Sequence, residues 1–441
     1  MVEGPRSLSW MQRPRLLIAA LVVAALIVRL GVVAATPAFT PATDAADYDR
    51  HGLSIAAGHG YPPTQIAGAG GPSAFRPPAF PHAVAAIYAF TGAQGERGRW
   101  TAARLAEAGL GAVLVGLIGM LALALWGAAP AVVAAAIGAV YPPFLLMGSS
   151  LTSETLFLPL VVAGVLAMVR YRESRRLRWA LAAGALAGLA ALTRSNGVAL
   201  LLPLLVGAWT VRPGSARTLA GGVATLAVAL LVISPWSVRN AVALDAFVPV
   251  STQAGYGLAG QYSDSSRDDP IHPSAWRPPY AHAPYRAIIE DPELNEAQVD
   301  RRLRSESRDF IRAHPEYVAQ TGFRNTLRLL GLRDLAFEEL AARDYGMSPA
   351  LAKASIYSFY ALALLALAGL SHPSVRRTPV FVWLTPVVMI LTTVFIAAGI
   401  RYRVPADPFI ICLAAAGLVQ AFSWMSRRRG RTHPQTPMRS G

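Results

Sequence analysis

A small set of carboxylates and guanidiniums stands where charge chemistry could be concentrated. Asp44-Ala45-Ala46-Asp47-Tyr48-Asp49-Arg50 gathers acids directly after an apolar run. If this stretch is helical, its i, i+3 and i+4 spacing puts Asp44, Asp47 and Tyr48 on one face. A carboxylate there could take a proton from a hydroxyl, although an Asp N-cap with solvated neighbours would read the same way. After the turn Gly58-His59-Gly60-Tyr61 comes Phe75-Arg76-Pro77-Pro78, where two prolines fix an extended turn and aim Arg76. Glu154 in Ser153-Glu154-Thr155-Leu156 opens another apolar run, as an acid of the site or as the complement of a helix dipole. Arg194 in Leu192-Thr193-Arg194-Ser195-Asn196-Gly197 lies between two short runs, so the tip of that hairpin should be sunk below the surface. Arg401 and Arg403 flank Tyr402 ahead of Pro405. An extended turn would aim both guanidiniums at one anion and Tyr402 the opposite way, toward the lipid interface. Guanidinium holds phosphate through two parallel hydrogen bonds, so Arg76, Arg194, Arg401 and Arg403 are candidate phosphate partners. Near span ends, arginine also simply snorkels to lipid headgroups.

The elements that must carry these residues are set by composition. The 441 residues are 54% hydrophobic and only 15% charged, against ~25% charged in a soluble domain. Apolar runs at 16–35, 105–125, 131–147, 156–169, 179–192, 198–209, 218–233, 354–370, 380–398 and 409–424 give about ten transmembrane candidates. A cleaved signal peptide is the rival reading of the first, but its run is longer than the usual ~7–15 residues. Arg13, Arg15, the cluster from Arg170 to Arg178, Arg212 and Arg217, Arg376 and Arg377, and the tail Arg427, Arg428, Arg429 and Arg431 all fall on one side of that count. By the positive-inside rule that side is the cytoplasm, with both termini in it. Two large loops then lie outside, 36–104 with the acidic motif and 234–350. Ser234-Pro235-Trp236-Ser237-Val238-Arg239-Asn240 opens the second, adding Arg239 and Asn240 as site candidates beside Tyr48, His59 and Tyr402. Within it, 295–330 spaces apolar residues among Arg and Glu, which fits either amphipathic helices on the membrane surface or a small soluble lid. The net charge of +15 is spread over many loops without a compact basic domain, so nucleic acid is not an expected partner. Cys412 is the only cysteine, so no intramolecular disulfide forms.

Taken in order, the Asp-rich opening, Gly-His-Gly-Tyr, Arg-Pro-Pro-x-x-Pro, Ser-Glu-Thr-Leu, Leu-Thr-Arg, Pro-Trp-x-x-Arg-Asn and Arg-Tyr-Arg-x-Pro resemble the protein O-mannosyltransferase and aminoarabinose-transferase superfamily of GT-C enzymes. The resemblance implies an all-α polytopic GT-C fold over 1–424 with juxtamembrane helices in its outer loops, and a basic cytoplasmic tail over 425–441. It implies transfer of a sugar from a polyprenyl-phosphate donor to an envelope glycan, lipid or protein, with inversion, outside a bacterial cytoplasmic membrane. Asp44 maps to the catalytic base. Asp47 and Glu154 are assigned to position the acceptor or a divalent metal. The protein mannosyltransferases show adjacent Asp-Glu where this chain has Asp44-Ala45, which weakens the case for a protein acceptor. A secondary transporter or a non-catalytic lipid-glycan binder are the alternatives. A transporter would place its coupling groups near the bilayer midplane rather than at one surface.

Overall fold

The computed structural model describes residues 13–68, 70–210, 216–336, 339 and 348–431, so Arg212 and the tail beyond 431 lie outside the described residues. Within them all helices and turns build one bundle with a helical cap. The chain runs α1 (Pro14–Ala35), α2 (Thr43–Ala56), α3 (Ala79–Thr91), α4 (Gly95–Trp126), α5 (Ala128–Val140), α6 (Pro142–Met147), α7 (Glu154–Ser174) and α8 (Leu177–Thr193). A 3₁₀ turn, Ser195–Leu200, leads into α9 (Leu201–Trp209) and α10 (Ala216–Leu244). The cap holds α11 (Gln253–Gln261), α12 (Asp264–Arg267), α13 (Ala283–Ile289), α14 (Glu296–Ala313) and α15 (Pro315–Leu329). The bundle resumes with α16 (Pro349–Gly369), α17 (Val380–Val394), α18 (Ile400–Arg403) and α19 (Asp407–Arg431).

Among the described residues six helices, α1, α4, α7, α10, α16 and α19, are long and apolar enough to cross a membrane. This is an integral membrane protein with fewer full-length spans than the ten apolar runs suggest. The other four runs form shorter helices for identifiable reasons. The 131–147 run is broken where Pro142 and Pro143 cannot continue α5, and 198–209 begins as a 3₁₀ turn. α8 has 17 residues and α17 has 15, about 26 and 23 Å at ~1.5 Å per residue, short of a ~30 Å core. Exposed Leu16, Val23, Ile27, Leu230, Leu231 and Leu364 on the long helices would be a liability in water and are suited to lipid.

Inside the bundle, small residues set the spacing. A Cβ on Gly184 or Gly188 of α8 would meet Thr225 O at 2.3 Å or Ala229 O at 2.9 Å, so these glycines let α8 lie directly against the α10 backbone. Arg29 of α1 is buried, and its guanidinium donates to Ala139 O at 3.0 Å and Gly138 O at 3.2 Å. It thereby serves the last carbonyls of α5, which have no helical partners of their own.

The loop boundaries differ from those expected. α4 begins at Gly95, and α10 runs through Pro235 to Leu244, so Arg239 and Asn240 ride on a spanning helix rather than in a loop. In the cap, α14 turns Val299 and Leu303 onto Ala259, Tyr285 and Ile289. Its apolar face is therefore met by protein, which favours the compact lid over a helix lying on lipid.

Candidate active site

The site assembles where α2, the 73–78 turn, the start of α7, the end of α8 and α18 meet. On α2, Asp44 and Asp47 share a face as the spacing required, and Arg76 spans both. Its Nη2 donates to Asp44 Oδ1 at 2.6 Å and its Nε to Asp47 Oδ2 at 2.7 Å. Two rings hold that guanidinium, with the Tyr48 and Phe75 centroids each 5.1 Å from Arg76 Cζ. The backbone of the turn is fixed by Tyr61, whose hydroxyl donates to Arg76 O at 2.5 Å. From the cap, buried Glu296 accepts from Ser73 Oγ at 2.7 Å, Ala74 N at 2.8 Å and Thr252 Oγ1 at 2.6 Å.

Glu154 stands on a turn that α4 pins. Glu107 accepts from Leu151 N at 2.9 Å and Thr152 N at 2.8 Å, while Arg104 Nε donates to Ser149 O at 2.7 Å. Leu151 has φ 54°, left-handed for a side chain that disfavours it, and Glu107 holds it there. Two arginines from distant elements close on the Glu154 carboxylate so presented. Arg194, the extended C-cap of α8, donates from Nη1 to Glu154 Oε1 at 2.6 Å and to Ser153 Oγ at 3.0 Å. Arg401 donates from Nε to Glu154 Oε1 and from Nη1 to Asp44 Oδ2 at 2.6 Å.

The result is an unbroken alternation of charge: Arg50, Asp47, Arg76, Asp44, Arg401, Glu154, Arg194. Four cations enclose three carboxylates, leaving the row one positive charge in excess. Accessibility separates the acids. The Asp44 side chain is 31% exposed and Glu154 is 0% exposed, so an incoming molecule can reach Asp44 and cannot touch Glu154 without opening the site. Burial alone would raise the Asp44 pKa, but the Arg76 and Arg401 charges and hydrogen bonds outweigh it and hold the carboxyl well below the usual range. At Asp47 burial is likewise outweighed, there by the His51 hydrogen bond and the Arg76 charge.

Several sequence candidates are placed elsewhere. Residues 400–403 are helical, not extended, because Gly399 at φ 139° turns the chain into α18. Residues two apart on a helix diverge by about 200°. Arg403 therefore leaves the row and donates to Asp407 Oδ1 at 3.1 Å and Leu329 O at 2.9 Å, 3.6 Å from the Phe359 ring centroid. Tyr402, expected at the lipid interface, is half-buried within electrostatic range of Arg401, Asp44, Arg194 and Glu154. His59 is exposed in its turn and does not join the site. Arg239 donates to Ser73 O at 2.6 Å and lies 4.8 Å from the Trp236 ring, while Asn240 donates to Val248 O at 3.0 Å. Both brace the walls instead of facing the acids. Asp49 turns to Tyr88, whose hydroxyl donates to it at 2.7 Å.

Sequence reading missed Glu107, Glu296 and His51. His51 lies one helical turn after Asp47, buried against the Tyr61 ring at 4.7 Å, with its Nδ1 2.7 Å from Asp47 O. Its i+4 spacing from Asp47 was a usable signal. Glu296 carried none, since it is one acid among several on its helix, whereas Glu107, an acid inside the apolar run 105–125, was itself a usable signal.

The profile of the dolichyl-phosphate-mannose-protein mannosyltransferase family matches residues 76–238, less than half the chain but including Arg76, Glu154 and Arg194. The structure superposes on the Archaeoglobus fulgidus oligosaccharyltransferase crystallised with zinc and sulfate, with TM-score 0.56 and 14% identity. That match covers 92% of this chain and 50% of the other. The chain carries the GT-C fold. The oligosaccharyltransferase AglB from Archaeoglobus fulgidus, bound to an inhibitory peptide and a dolichol-phosphate, gives TM-score 0.57 at 13% identity over 94% of this chain and 51% of its own. The chain thus spans about half the length of those oligosaccharyltransferase chains. ArnT from Cupriavidus metallidurans, bound to undecaprenyl phosphate, aligns over 94% of this chain and 81% of its own at 16% identity, with TM-score 0.41. No curated protein matches the sequence significantly. Among the described residues no group of three His, Cys, Asp or Glu is placed to hold a metal, and a divalent cation would have to displace guanidiniums from all three site carboxylates. As it stands, the arrangement suits an anion better than a cation.

Proposed function

We propose that this protein transfers a monosaccharide from a polyprenyl-phosphate donor to an envelope glycan, lipid or protein acceptor, on the extracytoplasmic face of a bacterial cytoplasmic membrane. One observation carries the reading: Asp44, the reachable acid, is held by two arginines that can each also bind phosphate. The mannosyltransferase profile over Arg76, Glu154 and Arg194 and the dolichol-phosphate bound by the archaeal fold relative support the same donor class.

In this scheme the donor's phosphate oxygens compete with Asp44 for Arg76 and Arg401. A carboxylate relieved of guanidinium contacts regains basicity, so Asp44 becomes a competent base when donor is present. The acceptor oxygen attacks the anomeric carbon as its proton passes to Asp44. The bond from that carbon to the phosphate oxygen breaks, and its electron pair leaves on polyprenyl phosphate, stabilised by Arg401, Arg76 and Arg194. One displacement inverts the anomeric centre. Glu154, sealed from solvent, keeps Arg194 and Arg401 oriented, and Asp47 does the same for Arg76.

The test is a panel of polyprenyl-phosphate sugars given to the purified protein in neutral detergent with membrane glycan and lipid as acceptors. Release of polyprenyl phosphate from one donor, coupled to sugar gained by an acceptor, is the expected result. Solute movement in proteoliposomes without any release across the panel would overturn it in favour of a transporter.

A further inference from the structure

About 18 residues along α7 from Glu154, some 27 Å at ~1.5 Å per residue, the opposite end of the bundle holds a recess of about 400 Å³. Arg172 and Arg175 reach it from the end of α7, and Arg377 from the turn before α17. Its floor is apolar, made by Ala124 and Leu125 of α4 and Val169 of α7, and Ser374 and Thr378 add hydroxyls to the rim.

Three features make this more than a scatter of surface charge. Among the described residues, none of the three arginines has a carboxylate partner. Glu173, the acid in the lining, pairs with Arg170 at 2.8 Å instead, and Arg172 donates only to Gly207 O at 2.6 Å and Thr210 at 2.8 Å. Arg175 ends α7 at φ 57°, a C′ position where glycine is the ordinary occupant. Beside the rim, Trp126 and Trp383 stack at 5.9 Å, and the Trp126 indole donates to Thr378 Oγ1 at 2.8 Å. Trp126 is buried, and Trp383, the less buried of the two, is the ring placed to meet the headgroup level at which tryptophan collects near the ends of apolar helices.

We propose that this recess binds the phosphodiester headgroup of an anionic glycerophospholipid at the membrane face opposite the transfer site. The cationic rim takes the phosphate, and the apolar floor, built by two spanning helices, takes the roots of the acyl chains. Free phosphate would satisfy the rim and leave the floor uncovered, which is why a lipid is the better occupant. The proposal does not depend on the transfer reaction.

The full chain in neutral detergent is titrated with phosphatidylglycerol, phosphatidylcholine or inorganic phosphate, and bound lipid is counted by native mass spectrometry. Phosphatidylglycerol is expected to be retained more than 10-fold over phosphatidylcholine. Arg175→Gln with Arg377→Gln should bring it to the phosphatidylcholine level without changing the melting temperature in lipid-free detergent. Should that double variant fold poorly, Ser374→Phe, which fills the recess and keeps the arginines, should cause the same loss. Equal retention of both lipids, or undiminished phosphatidylglycerol in the double and the filled variants, overturns the proposal. So does a thermal shift given by millimolar inorganic phosphate alone, abolished in the double variant, with no lipid retained.

Discussion

Arg401 and Arg403 lie two residues apart in one short helix, yet they belong to different worlds. Arg401 bridges Asp44 of α2 and Glu154 of α7 and faces the acid that solvent can reach. Arg403 is 2% exposed and sealed between Asp407, Leu329 O and the Phe359 ring, while Tyr141 donates to the far Asp407 oxygen at 3.0 Å. The Arg401 contact with Asp44 can be exchanged for a phosphate while sealed Glu154 keeps its hold, whereas no contact of Arg403 can be exchanged without emptying a core. The difference teaches that a guanidinium's role follows from what could replace its partner. A reachable carboxylate can give way to a ligand, whereas a buried carbonyl, carboxylate and ring hold the fold.

Four experiments would sharpen or break that contrast. Asp44→Asn should carry the largest effect, a loss of about 10²- to 10⁴-fold in polyprenyl-phosphate release with donor binding kept or tightened, since the carboxylate no longer competes for Arg76 and Arg401. Wild-type turnover in this variant would pass the base role to Asp47, since Asp49 is turned to Tyr88. Arg401→Gln should cost about 10²- to 10³-fold in kcat/KM with the melting temperature little changed, measured by donor titration beside thermal unfolding. Arg403→Gln should reverse that pattern. Leaving Asp407 buried without its cation should cost about 3–5 kcal/mol of stability, while the molecules that remain folded turn over within a few-fold of wild type. If Arg401→Gln unfolds the protein and Arg403→Gln spares it, the assignment of the two arginines is inverted.

The smallest effect concerns pH. Asp44 and Asp47 have folded-state pKa values below their unfolded values of about 3.9, so their contribution to stability is fully present above that pH. It is lost only as pH falls through the lower folded values. Melting temperature attributable to this pair should stay flat from pH 7 to about 4.5 and fall below that. Arg76→Gln removes a cation shared by both acids and raises their folded values toward the unfolded ones, so the stability lost on acidification should be smaller; an unchanged loss would show that Arg76 does not set their ionisation.

The face formed by Asp44, Asp47 and Tyr48 was legible because an i, i+3, i+4 pattern is a property of one helix turn. Arg76 was legible from the prolines beside it, although the group that fixes its turn, Glu296, reaches Ala74 from 222 residues away. No local pattern distinguishes Glu296 from Glu293 or Glu290, and only the packing of the cap on the bundle does. The expected extended turn at 401–403 failed for a related reason. Pro405 does restrict its neighbour, but Gly399 opens a backbone path into α18 that the proline rule does not cover.

By itself the sequence determined that the chain is apolar enough to be an integral membrane protein, and that acids and arginines crowd the ends of its apolar runs. Those features follow from the transfer of side chains between water and hydrocarbon and from helical periodicity, which act over a few turns. The tertiary structure alone decided which runs reach full spanning length. It decided that Arg76, Arg194 and Arg401 meet three carboxylates in one alternating row, and that Arg403 does not join them. A salt bridge between residues 357 apart, such as Arg401 with Asp44, depends on how helices pack, and many packings share the same local pattern.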